Sequence, residues 1–149
     1  MPWKLIAALA VIVLIGGAFL AGYLPEQRLR VAAEQQSLAL QEQLAAAEAR
    51  VRMGRLLGQA LAVREVVIRQ NYGLAQELAS PFFDNVRSEA AATPLNEFRS
   101  VLTEVLSRRD AITTSLAKAD PATVEAVHAI EVRMRRALGY PLPQQAVTN

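Results

Sequence analysis

Residues 5–24 read LIAALAVIVLIGGAFLAGYL and contain no charged side chain. A helix rises about 1.5 Å per residue, so this stretch is long enough to cross ~30 Å of hydrocarbon. It exceeds the ~7–15 apolar residues of a cleaved signal peptide, and the candidate cleavage sites at its end have a large residue at the −3 position. We therefore expect an uncleaved transmembrane signal anchor over residues 1–25.

The residues at the two ends of this stretch predict how it lies in a bilayer. Trp3 and Tyr23 flank it, where amphipathic aromatic side chains anchor a helix at the membrane surface, and Lys4 adds a positive charge at the amino-terminal end. Arg28 and Arg30 nearly balance that charge on the other side. A very short cationic amino terminus usually stays inside, so we expect a cytoplasmic amino terminus and an exported carboxy-terminal domain.

Small residues within the predicted span have the spacing of a helix-packing motif. Gly17 and Ala21, and likewise Ala18 and Gly22, are four residues apart. Such pairs let two membrane helices approach closely, which favours a homodimer through the span. Glycine and alanine are also common in single membrane helices, so the pattern fits a monomer equally well.

Residues 26–57 predict a long helical stalk. Leu40, Leu44, Ala47 and Val51 recur at intervals of four, three and four residues, which is the spacing of a coiled-coil seam. The pattern covers only a couple of convincing turns, whereas a sustained coiled coil needs about three or four heptads. Two interpretations remain open: a dimeric stalk, or a single amphipathic helix that packs on the domain behind it.

Residues 58–140 predict a four-helix domain, because helical apolar stripes alternate with capping signals and no segment alternates with the period of a strand. Gly54 and Gly58 favour a bend between this domain and the stalk. The expected fold is all-α: one transmembrane helix, a stalk, and an antiparallel bundle or stack of hairpins. The predicted helix boundaries lie at Thr93-Pro94, Asp120-Pro121 and Gly139, and residues 141–149 form a tail without pattern. At Pro81 we expect either a kink within one helix or a new helix with Ser80 as its N-cap.

The overall composition excludes several classes of function. The chain of 149 residues has no cysteine, which removes disulfides, thiol catalysis and thiolate metal sites. Its net charge is only +2 and both signs are interspersed, so no basic patch suited to nucleic acid is expected. No phosphate-binding glycine loop or hydrolase motif is present, and we expect neither catalytic residues nor a cofactor.

The only histidine provides the one metal-site pattern in the chain. Glu125 and His128 lie three residues apart on a predicted helix, and Glu131 follows after another three. This face could hold a single metal ion, but a dinuclear site needs a second such pair, which the chain lacks. A surface histidine between two glutamates explains the spacing more simply, so these residues stay candidates only.

Three aromatic residues are candidates for contact with a partner. Phe82 and Phe83 point about 100° apart on a helix, so either the helix is covered on two sides or one ring is exposed as an anchor. Residues 70–75, Gln-Asn-Tyr-Gly-Leu-Ala, include Tyr72 and resemble the turn of a tetratricopeptide-type hairpin. That resemblance covers one hairpin, departs from the family at Pro81 and has no second copy; it implies partner binding on a concave helical face.

These observations predict a non-enzymatic membrane protein. We expect a scaffold, adaptor or accessory subunit of a bacterial envelope complex, anchored in the inner membrane with its helical domain in the periplasm. Its partners would be the lipid bilayer and other envelope proteins, with a homodimer through the span and stalk. The alternative is an envelope chaperone, a stress sensor or a spanin-like binding module with one hydrophobic helical face.

Overall fold

A computed structural model of the chain describes the backbone of residues 3–142 and the side chains of residues 33–142. Within that part of the chain every regular element is a helix, which confirms the all-α class. The five helices are α1 Trp3–Ile68, α2 Tyr72–Ala92, α3 Asn96–Ser107, α4 Arg109–Ala117 and α5 Thr123–Ala137.

The predicted membrane span falls where the structure gives no side chains. Its packing positions Gly17, Ala18, Ala21 and Gly22 and its interface residues Trp3, Lys4 and Tyr23 all lie outside the residues with described side chains. Among the residues that are described, no helix combines the length and the hydropathy needed to cross a membrane. The tail from residue 143 onward also lies outside the described part.

The chain divides into two compact units, Met1–Leu44 and Ala45–Asn149. In the first unit the structure describes side chains 33–44, and all of them are exposed. The second unit contains the helical bundle. It begins about a dozen residues before the predicted domain boundary at residue 58, so the end of the predicted stalk belongs to the bundle.

The last part of α1 forms one wall of the core of this bundle. Its buried residues recur at intervals of four and three, so they share one side of the helix, and we call this side the inner face. Gly54 and Gly58 do not interrupt the helix, because the packing on either side of them outweighs their low helix propensity. The inner face consists of Ala49, Met53, Leu56, Ala60, Val63 and Val67, and Leu57, which is also buried, lies at its edge.

Helix α2 packs against α3 and α4, and both of these contact α5. Asn71 caps α2, since its side-chain oxygen accepts a hydrogen bond from the backbone N–H of Leu74 at 3.2 Å. The helix then continues through Pro81 without the predicted restart, because an apolar face on both sides of the proline is held in the core. The buried residues of this face are Ala75, Ala79, Phe82, Phe83 and Val86.

The carboxy-terminal half of the bundle differs from the sequence prediction at two positions. The single helix expected over residues 95–119 is divided at Arg108 into α3 and α4. Helix α5 begins at Thr123, after a turn in which the Asp120 carboxylate accepts the N–H of Ala122 at 2.9 Å. Gly139 follows α5 with φ +73°, the left-handed conformation predicted for a helix-ending glycine.

Candidate functional site: the outer face of helix α1

The side of α1 opposite the inner face carries a second row of apolar and small residues. Ala47, Val51, Gly54 and Gly58 follow one another at intervals of four, three and four, and they are offset by two residues from the inner face. Two residues correspond to about 200° around a helix, so the two rows lie back to back. Val51 is 56% exposed. We call these four residues the outer face.

The two glycines leave open space on the outer face. A Cβ atom added at Gly54 or at Gly58 would have no heavy atom within 4 Å. Glycine in the interior of a helix costs roughly 0.5–1 kcal/mol relative to alanine. Nothing inside the bundle requires the small side chain at these two positions. The arrangement therefore permits another backbone to approach α1 closely.

One arginine lies on each side of the outer face. Arg50 and Arg55 are both exposed, and neither forms an ion pair within the described part of the chain. Helix neighbours cannot neutralise them either, since no carboxylate stands three or four residues away from either arginine in the sequence. The outer face is therefore bordered by two uncompensated positive charges.

An open cavity of about 270 Å³ lies beside Arg55, between α1 and α2. Glu89, which is only 7% exposed, accepts a hydrogen bond from the Arg52 Nε atom through Oε2 at 2.8 Å. Its other oxygen, Oε1, is buried and has no hydrogen-bond partner in the described part of the chain. Arg52 also lies 3.6 Å from Glu48 Oε2, so two carboxylates share this arginine, and Arg55 lines the same cavity. The other lining residues are Leu56, Gln59, Asn85 and Ser88.

The residues of the predicted coiled-coil seam are exposed. Leu40, Leu44, Ala47 and Val51 all belong to this class, and Leu44 reaches 61%. Leu38, outside that seam, is exposed to a similar extent. The dimeric stalk and the single amphipathic helix both remain predictions.

A buried carboxylate joins α5 to α1. Glu131 is 2% exposed and accepts the Arg135 Nε–H at 2.7 Å. An Nη atom of Arg64 on α1 lies 3.5 Å from its second oxygen, and His128 Nδ1 lies 3.3 Å from that same oxygen. Burial alone would raise the pKa of Glu131, but the hydrogen bonds from Arg135 and His128 and the charges of Arg135 and Arg64 lower it overall.

These contacts account for the metal-site candidates of the sequence. Both oxygens of Glu131 face cationic or imidazole groups, and Glu125 is exposed with no hydrogen bond or ion pair to His128. Among the residues with described side chains, no group of three histidine, aspartate or glutamate residues could hold a metal ion. The cluster instead connects two helices.

The aromatic candidates lie in the core. Phe82 and Phe83 are buried, with ring centroids 5.0 Å apart, and Tyr72 is half-buried against the core. Of the two possibilities for the phenylalanines, the helix covered on two sides is the one observed.

Comparison with known proteins adds no assignment: no protein-family model, no curated protein and no solved structure matches the chain.

Sequence reasoning missed the outer face, although two signals for it were present. The interval pattern of Leu40 to Val51 continues without a break to Gly54 and Gly58, and Arg50 and Arg55 lack helix-neighbour carboxylates. The contact between Arg52 and Glu89 had no sequence signal, because it joins residues of different helices.

Proposed function

We propose that this protein is a membrane-anchored helical adaptor without enzymatic activity. Residues 5–24 hold it in the bacterial inner membrane with the amino terminus in the cytoplasm, and the bundle lies in the periplasm. Its role is to bring an envelope protein to that membrane. The observation that carries the proposal is the exposed apolar side of α1, because large aliphatic side chains in water mark a contact with another molecule.

Two features support an adaptor over other classes. The capped bundle presents a surface on a helix, which is the usual way in which helical modules bind other helices. The buried carboxylates, Glu89 and Glu131, are engaged by arginines and so serve the packing of the helices. Pairing of two copies through Gly17 and Gly22 in the span remains part of the proposal.

The anchor is tested by placing a charge in the span. An arginine at the centre of a membrane helix costs about 2.5–3.5 kcal/mol on insertion scales. Leu14→Arg should therefore release the full chain from sodium carbonate-washed membranes, whereas the matched variant Leu38→Arg, outside the span, should remain bound. Equal extraction of both variants would contradict a membrane anchor.

The orientation is tested by reporters fused after Asn149. An alkaline phosphatase fusion should be active, because this enzyme is active only after export. A green fluorescent protein fusion should not fluoresce, because this protein does not mature when it is exported as an unfolded chain. The opposite pair of results would place the bundle in the cytoplasm and overturn the periplasmic part of the proposal.

An envelope chaperone is the second candidate, and the exposed Leu38, Leu40 and Leu44 favour it because client proteins bind through apolar surface. The two functions differ in selectivity. A chaperone should suppress the aggregation of several unrelated unfolded proteins at equimolar ratio, and the triple substitution of these leucines by serine should abolish that effect. An adaptor should leave aggregation unchanged in both forms.

A further inference from the structure

We propose that the outer face of α1 is the docking site for an acidic amphipathic helix of another protein. This inference rests on the proposed adaptor role and names the partner's chemistry. The occupant carries small or aliphatic residues along one side and carboxylates along both edges of that side. The site consists of Ala47, Val51, Gly54 and Gly58, with Arg50 and Arg55 at its borders.

The shape of the surface points to a helix. A row with intervals of four and three residues matches the corresponding row of a second helix, with side chains of one inserting between those of the other. At Gly54 and Gly58 the second helix meets no Cβ atom, and nothing from the bundle fills the space. The interaxial distance can therefore lie at the short end of the usual 8–10 Å.

The charges at the borders decide which helix fits. In a parallel pair of helices that meet along this row of residues, Arg50 of one helix faces residue 55 of the other helix. A second copy of the chain would therefore bring Arg50 of one copy against Arg55 of the other. Like charges at this position disfavour self-association, whereas a partner with glutamate or aspartate at both borders would pair with each arginine.

The test uses the full chain in non-ionic detergent micelles and two designed helical peptides. Both peptides carry leucine and alanine along one side; one has glutamate at all border positions and the other has lysine. Like charges at the borders keep each peptide from pairing with itself. Fluorescence anisotropy of the labelled peptides should show at least tenfold tighter binding of the glutamate peptide, decreasing as salt is added.

Three variants locate the binding. Arg50→Glu with Arg55→Glu should reverse the preference between the peptides. The matched pair Lys118→Glu with Arg136→Glu makes the same change in net charge at exposed residues outside α1 and should leave the preference unchanged. Gly58→Leu should weaken the binding of both peptides at least tenfold, because the leucine side chain fills the space that the peptide would occupy. The helical content of the protein should stay unchanged, since that side chain meets no atom of the bundle at its Cβ.

Several results would overturn the proposal. Equal binding of the two peptides, or an equal effect of the two charge-reversed pairs, would mean attraction to net charge alone. Unchanged binding to Gly58→Leu would place the peptide elsewhere. Sedimentation that shows a dimer for the wild type and a monomer for Gly58→Leu would assign the outer face to a second copy. Loss of the docking site would leave membrane anchoring intact, so its failure is distinguishable from failure of the adaptor proposal.

Discussion

Replacing Glu131 by glutamine should destabilise the bundle by about 2 kcal/mol at pH 7. Removing one partner of a fully buried ion pair costs roughly 3–5 kcal/mol, because the remaining charge is left uncompensated. Here the remaining charges belong to Arg64 and Arg135, whose side chains are 33% and 27% exposed, so water replaces part of the lost interaction. The expected cost is therefore below that range and well above the ~0.5 kcal/mol of a surface substitution.

The effect of Glu131 should also depend on pH in a definite direction. The pKa of this carboxyl is lower in the folded chain than in the unfolded chain, so its contribution is fully present above the unfolded value of 4.5. As the pH falls through the folded pKa, the folded state takes up the proton and the contribution disappears. The difference between the wild type and Glu131→Gln should thus shrink below about pH 4.5.

The measurement is urea unfolding of the full chain in detergent micelles, followed by circular dichroism at several pH values. Glu125→Gln is the matched control, since Glu125 lies on the same helix but is exposed and forms no ion pair with the described residues. Other carboxyl groups titrate in both proteins and cancel in the comparison. A Glu131→Gln cost equal to that of Glu125→Gln, or a difference that does not shrink as the pH falls below 4.5, would refute the assigned role.

Two further predictions concern the stability of the bundle, one at two glycines and one at a buried and an exposed side chain. Gly58→Ala should stabilise the bundle by roughly 0.5–1 kcal/mol, because the added Cβ atom meets no atom within 4 Å. Gly139→Ala should destabilise it by roughly 1–2 kcal/mol, because φ at residue 139 is +73°. Thermal melting of the two variants should show melting temperatures that shift in opposite directions. Phe83→Ala should lower the free energy of unfolding by about 3–5 kcal/mol, because it truncates a side chain in the core. Leu44→Ala, at an exposed position, should change the midpoint of urea unfolding little. Similar losses of stability for both variants would contradict the assigned burial.

Much of the helical architecture was predictable from local sequence. The apolar stripes of α3 and α5 and the left-handed Gly139 follow from periodicity and from the conformational preferences of single residues. These signals are local, because each depends on a few neighbouring residues of the same helix.

The sequence prediction and the structure differ where tertiary packing overrides a local signal. Of the kink and the restart expected at Pro81, the restart does not occur, since the buried phenylalanines that follow it hold α2 in the core as one helix. Gly54 and Gly58 do not divide α1 for the same reason, as Met53 and Leu56 are buried in the bundle. The division at Arg108 has no glycine or proline beside it, and its one local signal is the interruption of the apolar stripe at Arg109.

The candidate site was only half visible in the sequence. The seam of Leu40 to Val51 was correctly seen as apolar, but periodicity alone does not tell which of two rows on one helix is buried. The bundle selects the row of Ala49 and Met53, and that choice leaves Val51 and Gly54 outside. Which face remains free is decided by the other helices and not by α1 itself.

The closure of the bundle by the last helix has a consequence for its synthesis. Arg64 on α1 meets its partner Glu131 only when α5 is in place. A ribosome adds about 5–20 residues per second, so Arg64 lacks this partner for several seconds after it is made. A message cut before the codons of α5 would yield a chain in which Arg64 never meets Glu131, and quality-control proteases should remove it quickly.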